Sequence, residues 1–155
     1  MEDFSPEDLH RFIIKAKAAT YAGNGRKLLP YRLCSKDLQY AEEEFVYHDS
    51  YFGESDFFGQ EVVYHAGQAV WGMNYFGRLL RPDLLTAAEA GRMIKESLSH
   101  LYREGRFLGS FEYIADDLRY TDTNEGTLDW FTGREQIDRR GLLAYELHYH
   151  GGFCH

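Results

Sequence analysis

Cysteine is scarce in this chain, and the two present do not pair in any recognisable pattern. Cys34 and Cys154 stand far apart, with no CxxC or Cys/His spacing, so they define no disulfide framework. The N-terminus lacks the apolar core of a signal peptide. The longest apolar runs are far too short to cross a bilayer. A cytoplasmic protein with reduced thiols and no membrane contact is the expectation. Clustered basic residues are also missing. No Lys/Arg group exceeds the pair Arg139-Arg140, and the formal net charge is −8. A phosphate-binding stripe needs the opposite, so direct nucleic-acid binding is not expected.

Catalytic signatures are equally sparse. There is no Gly-x-Ser-x-Gly elbow, and neither cysteine has a catalytic setting. Gly23-Asn24-Gly25-Arg26-Lys27 follows a helix and lacks the Gly-Lys-Ser/Thr ending of a phosphate loop. Asp116-Asp117 and Glu42-Glu43-Glu44 read as solvated charge.

What the chain does have is aromatic mass. Phe, Tyr and Trp make up 16% of it, and twelve residues are Tyr. Tyrosine supplies apolar area together with a hydroxyl that wants a partner, which predicts a tyrosine-rich core or groove. With 155 residues, one domain can bury roughly two-thirds of its unfolded surface.

Phe4-Ser5-Pro6-Glu7-Asp8-Leu9 marks a helix start, with Ser5 as N-cap, Pro6 at the first helical position and a Phe4/Leu9 staple. Leu9, Phe12, Ile13 and Ala16 form its apolar stripe, and Gly23-Asn24-Gly25 ends it. A connector follows, with a short strand around Tyr31-Arg32-Leu33. Alternation over residues 38–52 predicts one strand, with Ala41, Phe45, Tyr47 and Tyr51 on one face. Strands at 58–65 and 68–79, joined by Ala66-Gly67, extend this into an antiparallel meander. In the third strand Trp71, Met73 and Tyr75 share one face, and Asn74 the other.

After Arg81-Pro82-Asp83, a capping box from Thr86 to Glu89 opens a second helix striped by Ala87, Ala90, Ile94, Leu98 and Leu101. Strands are then expected at 111–115, 118–121, 127–132 and 142–150, with turns at 124–126 and 138–141. No linker, low-complexity segment or repeat divides the chain. The expected fold is one α+β domain: a curved antiparallel sheet in the order α-β-β-β-α followed by β-strands, with helices packed on one face.

Several tracts carry a resemblance. They are Ala16-Lys17-Ala18-Ala19-Thr20-Tyr21, Phe45-Val46-Tyr47-His48-Asp49-Ser50-Tyr51-Phe52-Gly53 and Gly59-Gln60-Glu61-Val62-Val63-Tyr64. Val70-Trp71-Gly72-Met73-Asn74-Tyr75-Phe76-Gly77, Phe131-Thr132-Gly133-Arg134-Glu135 and the run from Tyr145 to Gly152 complete the set. Together they resemble a bacterial family of uncharacterised domains, found alone or C-terminal to XRE-type helix-turn-helix regulators. Arg106-Phe107-Leu108-Gly109-Ser110 departs from the Arg-Gly-Pro-like turn that similar proteins tend to carry. The resemblance implies a sensor-like module and names no ligand or cofactor. No DNA-binding part is expected in this chain, so a regulator role is not carried over.

Two residue sets could carry chemistry. Glu146, His148 and His150 alternate along one strand face about 6.5–7 Å apart, and two imidazoles with a carboxylate are a legitimate zinc or iron ligand set. Asp49, Tyr51, Glu61, Trp71, Asn74 and Tyr75 place polar groups among aromatics on central strands, where such groups need partners or a pocket. The function that follows is a non-catalytic ligand-binding or interaction module taking a small molecule. The competing reading is a small metal-dependent enzyme built on Glu146, His148 and His150. A homodimer joined through exposed strands or aromatic faces is a third expectation.

Overall fold

The computed structural model describes residues 4–21 and 26–155, with the backbone alone at Tyr21. The helix stop assigned to Gly23-Asn24-Gly25 therefore lies outside the described residues.

Helix α1 spans Pro6–Tyr21 and opens as its residues dictate. The Asp8 amide donates to Ser5 Oγ at 3.1 Å, and the Ser5 amide and hydroxyl donate back to Asp8 Oδ2. Leu9, Phe12, Ile13 and Ala16 are buried, as the periodicity predicts. Helix α2 spans Ala87–Arg103 behind the Thr86/Glu89 capping box. Its buried stripe is wider than expected, adding Met93, Ser97 and Tyr102, while Ala87 stays exposed.

The strands are β1 (Arg26–Leu28), β2 (Lys36–Glu42), β3 (Phe45–Gly53), β4 (Phe57–His65), β5 (Gln68–Leu79), β6 (Phe111–Ala115), β7 (Leu118–Thr127), β8 (Trp130–Arg139) and β9 (Leu142–Phe153). They form one antiparallel sheet in the order β1-β2-β3-β4-β5-β9-β8-β7-β6, which stays open. The sheet is larger than the meander expected from the sequence. The single strand over 38–52 is in fact the β2–β3 hairpin, turning at Glu43 with φ +56°. That turn contains no glycine, asparagine or proline, so its residue types gave no sign of it. The turn expected at 124–126 is likewise strand. Gly126, at φ +96°, stays paired with Phe131, and the chain reverses at Leu128-Asp129 instead. Residues 31–33 form a turn, and the nearby strand is β1.

The strand order exposes a duplication that a search for separate segments overlooks. Tyr47-x-Asp49 on β3 recurs as Tyr120-x-Asp122 on β7, and Phe57-x-Gly59-x-Glu61 on β4 as Phe131-x-Gly133-x-Glu135 on β8. Trp71-x-Met73-x-Tyr75-x-Gly77 on β5 matches Tyr145-x-Leu147-x-Tyr149-x-Gly151 on β9. The backbone repeats too. The β4–β5 turn takes left-handed Ala66 (φ +47°) and Gly67 (φ +80°), and the β8–β9 turn takes Arg140 (φ +51°) and Gly141 (φ +78°). Register slips after Val63 in one half and after Ile137 in the other. The expectation of no repeat is thus corrected: α1-β2-β3-β4-β5 and α2-β6-β7-β8-β9 are two copies of one unit. They meet at β5 and β9, where Tyr75 faces its own counterpart Tyr149.

Both helices lie on one face of the sheet. The core gathers Leu9, Phe12 and Ile13 from α1 and Met93, Leu98 and Leu101 from α2. Against them pack Tyr47, Val63, Trp71, Met73, Tyr75, Tyr120, Phe131, Ile137, Tyr145 and Tyr149. Among the described residues no helix is long and apolar enough to cross a membrane.

Candidate functional site

Four carboxyls sit on the sheet face beneath the helices: Asp49, Glu61, Asp122 and Glu135 are all buried. Each is met by a tyrosine hydroxyl. Tyr47 donates to Glu61 Oε1 at 2.6 Å, Tyr75 to Asp49 Oδ1 at 2.7 Å, Tyr149 to Asp122 Oδ1 at 2.7 Å, and Tyr120 to Glu135 Oε1. The tyrosines fit because the neighbouring strand is glycine where their rings lie. A Cβ at Gly59 would run into Tyr75, and one at Gly133 into Tyr149.

Charge breaks the symmetry. Lys17 of α1 reaches Glu61 Oε2 at 2.6 Å, with both side chains nearly inaccessible. Counted from the caps Ser5 and Thr86, its counterpart on α2 is Leu98, so among the described residues Glu135 has no buried cation of its own. Burial, aided by the Asp122 charge, pushes the Glu135 carboxyl up to about 8. Asp122 is raised to about 6 by burial. Asp49 is raised to about 8, first by burial and then by the nearby Glu61 charge, against the opposing pull of the Tyr75 hydroxyl.

Two hollows adjoin these groups. A small one of about 60 Å³ lies between Lys17, Leu98, Phe107, Asp122 and Glu135. The larger is a cleft of about 360 Å³ between α2 and strands β2–β5. Its walls are Tyr51, Phe57, Tyr75, Tyr145 and Ile94, its floor holds Asp49, and Lys36, Glu54 and Lys95 stand among its lining. Lys36 is engaged by Glu54 Oε1 at 2.6 Å. The hydroxyl of Tyr145, a residue only 1% exposed, has no hydrogen-bond partner among the described residues.

Against this geometry the six residues singled out from the sequence separate. Asp49, Tyr51 and Tyr75 line the cleft. Glu61 and Trp71 lie on the same face but are enclosed in the core, with Trp71 Nε1 donating to the Leu128 carbonyl. Asn74 points to the other side, exposed, where its amide oxygen accepts from Gln60. Glu61 pairs across β4–β5 with Met73, which puts it under the helices, away from Asn74.

Glu146, His148 and His150 occupy the face away from the helices. Arg134 donates to Glu146 Oε2 at 2.6 Å, and His148 Nε2 stands 3.6 Å from the same oxygen. Among the described residues no group of three or more His, Cys, Asp or Glu gathers closely enough to hold a metal ion. Because the sheet separates this trio from Glu61 and Asp49, the two sets do not converge on one pocket.

Sequence reasoning passed over Phe57, Ile94 and Tyr145 as cleft walls, and Lys17, Asp122 and Glu135 as buried charge. The signal that finds the acids is the repeated Tyr-x-Asp and Phe-x-Gly-x-Glu spacing. Ile94 carries no such signal, because its place over the cleft depends on how α2 packs.

Comparison with curated proteins and with solved structures finds no match. A family model does match, over residues 49–154, from the cleft aspartate to the end of β9. The chain belongs to the family described as Domain of unknown function (DUF5680).

Proposed function

We propose that this protein is a non-catalytic, sensor-like module that binds a small molecule in the cleft beneath α2. The carrying observation is the cleft itself: about 360 Å³ of aromatic-walled space ending on a nearly inaccessible carboxyl. That volume and lining suit a small ligand held by apolar contact and oriented by a few polar groups. The absence of any catalytic motif in the sequence supports binding over turnover. The Glu146/His148/His150 face gives the metal-enzyme reading less support, since Arg134 already occupies Glu146. The two free, exposed cysteines suit a reducing cytoplasm.

A thermal-shift screen over cell metabolites, followed by calorimetry, tests the reading. Hits are expected to raise the melting temperature, and Gly91→Phe, which puts a ring over the cleft, should abolish the effect. If nothing binds while the purified protein turns over a model substrate, the binding reading fails.

One observation favours self-association as a second role. Phe52, Phe58 and Phe76 form an aromatic ladder on the open face, with centroids 5.3 and 6.5 Å apart. Phe58 and Phe76 are about half exposed. Light scattering on the eluting protein should then report a dimer, lost on Phe76→Ser.

A further inference from the structure

The duplicated unit offers an internal comparison: whatever lies in one half predicts what the other half can accept. The open cleft is walled by Phe57 and Tyr145, whose rings stack with centroids 6.4 Å apart and planes 20° apart. Their counterparts Phe131 and Trp71 stack in the same way, at 5.8 Å and 20°. In that second half the corresponding space is filled. Phe107, from the loop after α2, stands edge-on to both rings, 5.7 Å from Phe131 and 5.9 Å from Trp71. It also approaches His10, the counterpart of the cleft-lining Gly91, at 5.9 Å. Phe107 is 5% exposed and belongs to the core. Among the described residues, the chain thus plugs one copy of the slot with its own phenyl ring and leaves the other open.

The polar groups also differ between the copies. The indole N–H of Trp71 is satisfied by the Leu128 carbonyl. Tyr145, its counterpart, stands in the cleft wall, and its own hydroxyl is buried without a partner among the described residues. A buried hydroxyl left so is unfavourable. Asp49 forms the floor, and Glu61, which Lys17 neutralises, lies directly across the β3–β4 ladder from it; burial and the Glu61 charge hold the Asp49 carboxyl up to about 8. An ammonium brought against this carboxyl favours its charged form and pairs with it, whereas a carboxylate gains no partner from Asp49.

We propose that the open cleft binds a small arylalkyl amine, with its aromatic ring in the slot that Phe107 fills in the other half and its ammonium on Asp49. The ring takes the edge-to-face geometry that aromatic groups prefer. The Tyr145 ring forms one wall of the same slot. This assignment rests on the binding reading above and adds the chemical class.

Calorimetry with three simple probes tests it: 2-phenylethylamine, 2-cyclohexylethylamine and phenylacetate. The amine bearing the phenyl ring should bind one equivalent, at least about tenfold tighter than either of the others. Asp49→Asn should weaken it about tenfold or more. Gly91→Phe should abolish binding while leaving the circular dichroism spectrum and melting cooperativity intact, because a Cβ at Gly91 meets no atom within 4 Å and opens onto the cleft. Equal or tighter binding of phenylacetate, or indifference to Asp49→Asn, overturns the amine assignment. Equal binding of the cyclohexyl amine overturns the aromatic slot. If none of the three binds but metabolites from the wider screen still do in a Gly91→Phe-sensitive way, the class fails and the binding reading stands. If nothing binds in that way, both fail.

Discussion

Lys17 shows how much rests on one side chain. It is 3% exposed, holds Glu61 at 2.6 Å, and its ammonium lies 5.3 Å from the Phe107 ring and 5.9 Å from that of Trp71. Removing one partner of such a pair strands a charge in the core, at a cost of about 3–5 kcal/mol, whereas replacing both is far milder. Lys17→Met should therefore lower unfolding stability by that amount in urea titration, and Lys17→Met with Glu61→Gln should recover most of it. A loss below about 1 kcal/mol in the single variant would contradict the burial of this pair. Exposed pairs such as Arg81–Asp83 and Arg119–Glu112 should contribute at most about 1 kcal/mol each. The sequence showed Lys17 only as one residue of the Ala16–Tyr21 tract. Its partner lies on a strand 44 residues away, and no local pattern connects them.

At the scale of elements, the sheet depends on glycines that make room for tyrosines. Gly59 on β4 receives Tyr75 from β5, and Gly133 on β8 receives Tyr149 from β9. Those hydroxyls hold Asp49 and Asp122, so the glycine, the ring and the acid form one unit used twice. Gly59→Ala and Gly133→Ala should each destabilise by about 1–3 kcal/mol, the usual cost of overpacking a filled site. Gly91→Ala is the contrast. It sits in α2 with open space at its Cβ, and should stabilise by roughly 0.5–1 kcal/mol. Chemical denaturation of the three variants checks the difference in sign. Helix starts were readable because capping is local: Ser5/Asp8 and Thr86/Glu89 satisfy their own amides. The β2–β3 hairpin was not, because Glu43 enters the left-handed region without any of the residues that advertise it.

For the whole molecule, the buried carboxyls set the response to pH. Asp49 and Glu135 are both held up to about 8 in the folded state, against ordinary values of 3.8 and 4.5. The folded state therefore binds more protons than the unfolded chain between those limits. Their contribution is complete below about pH 4 and is lost as pH rises through 8. Glu89, lowered to about 2 by the Thr86 amide and the Arg139 guanidinium, acts oppositely: its contribution is present above 4.5 and lost only in strong acid. Between pH 6 and 8.5 the two raised groups dominate, at about 1.4 kcal/mol for each pKa unit shifted. The melting temperature should fall across that window, and Asp49→Asn with Glu135→Gln should flatten the decline. A wild-type melting temperature that holds level or rises there would show that these carboxyls are ionised in the folded protein.

Local chemistry in the sequence determined the two capped helices, the Ala66-Gly67 hairpin, the antiparallel α+β class and the shared face of Trp71, Met73 and Tyr75. These follow from periodicity, capping and turn geometry, which act over a few residues. The repeat was written in the sequence as well, in its paired Tyr-x-Asp and Phe-x-Gly-x-Glu spacings, but the two copies differ in nearly every other side chain. Only the tertiary structure decided what the repeat is for. Folding two copies about the β5–β9 seam brings Phe107 into one slot and leaves its twin open. It also places Asp49 on the cleft floor. Those outcomes depend on which helix covers which half, and that is a long-range packing choice no window of the chain contains.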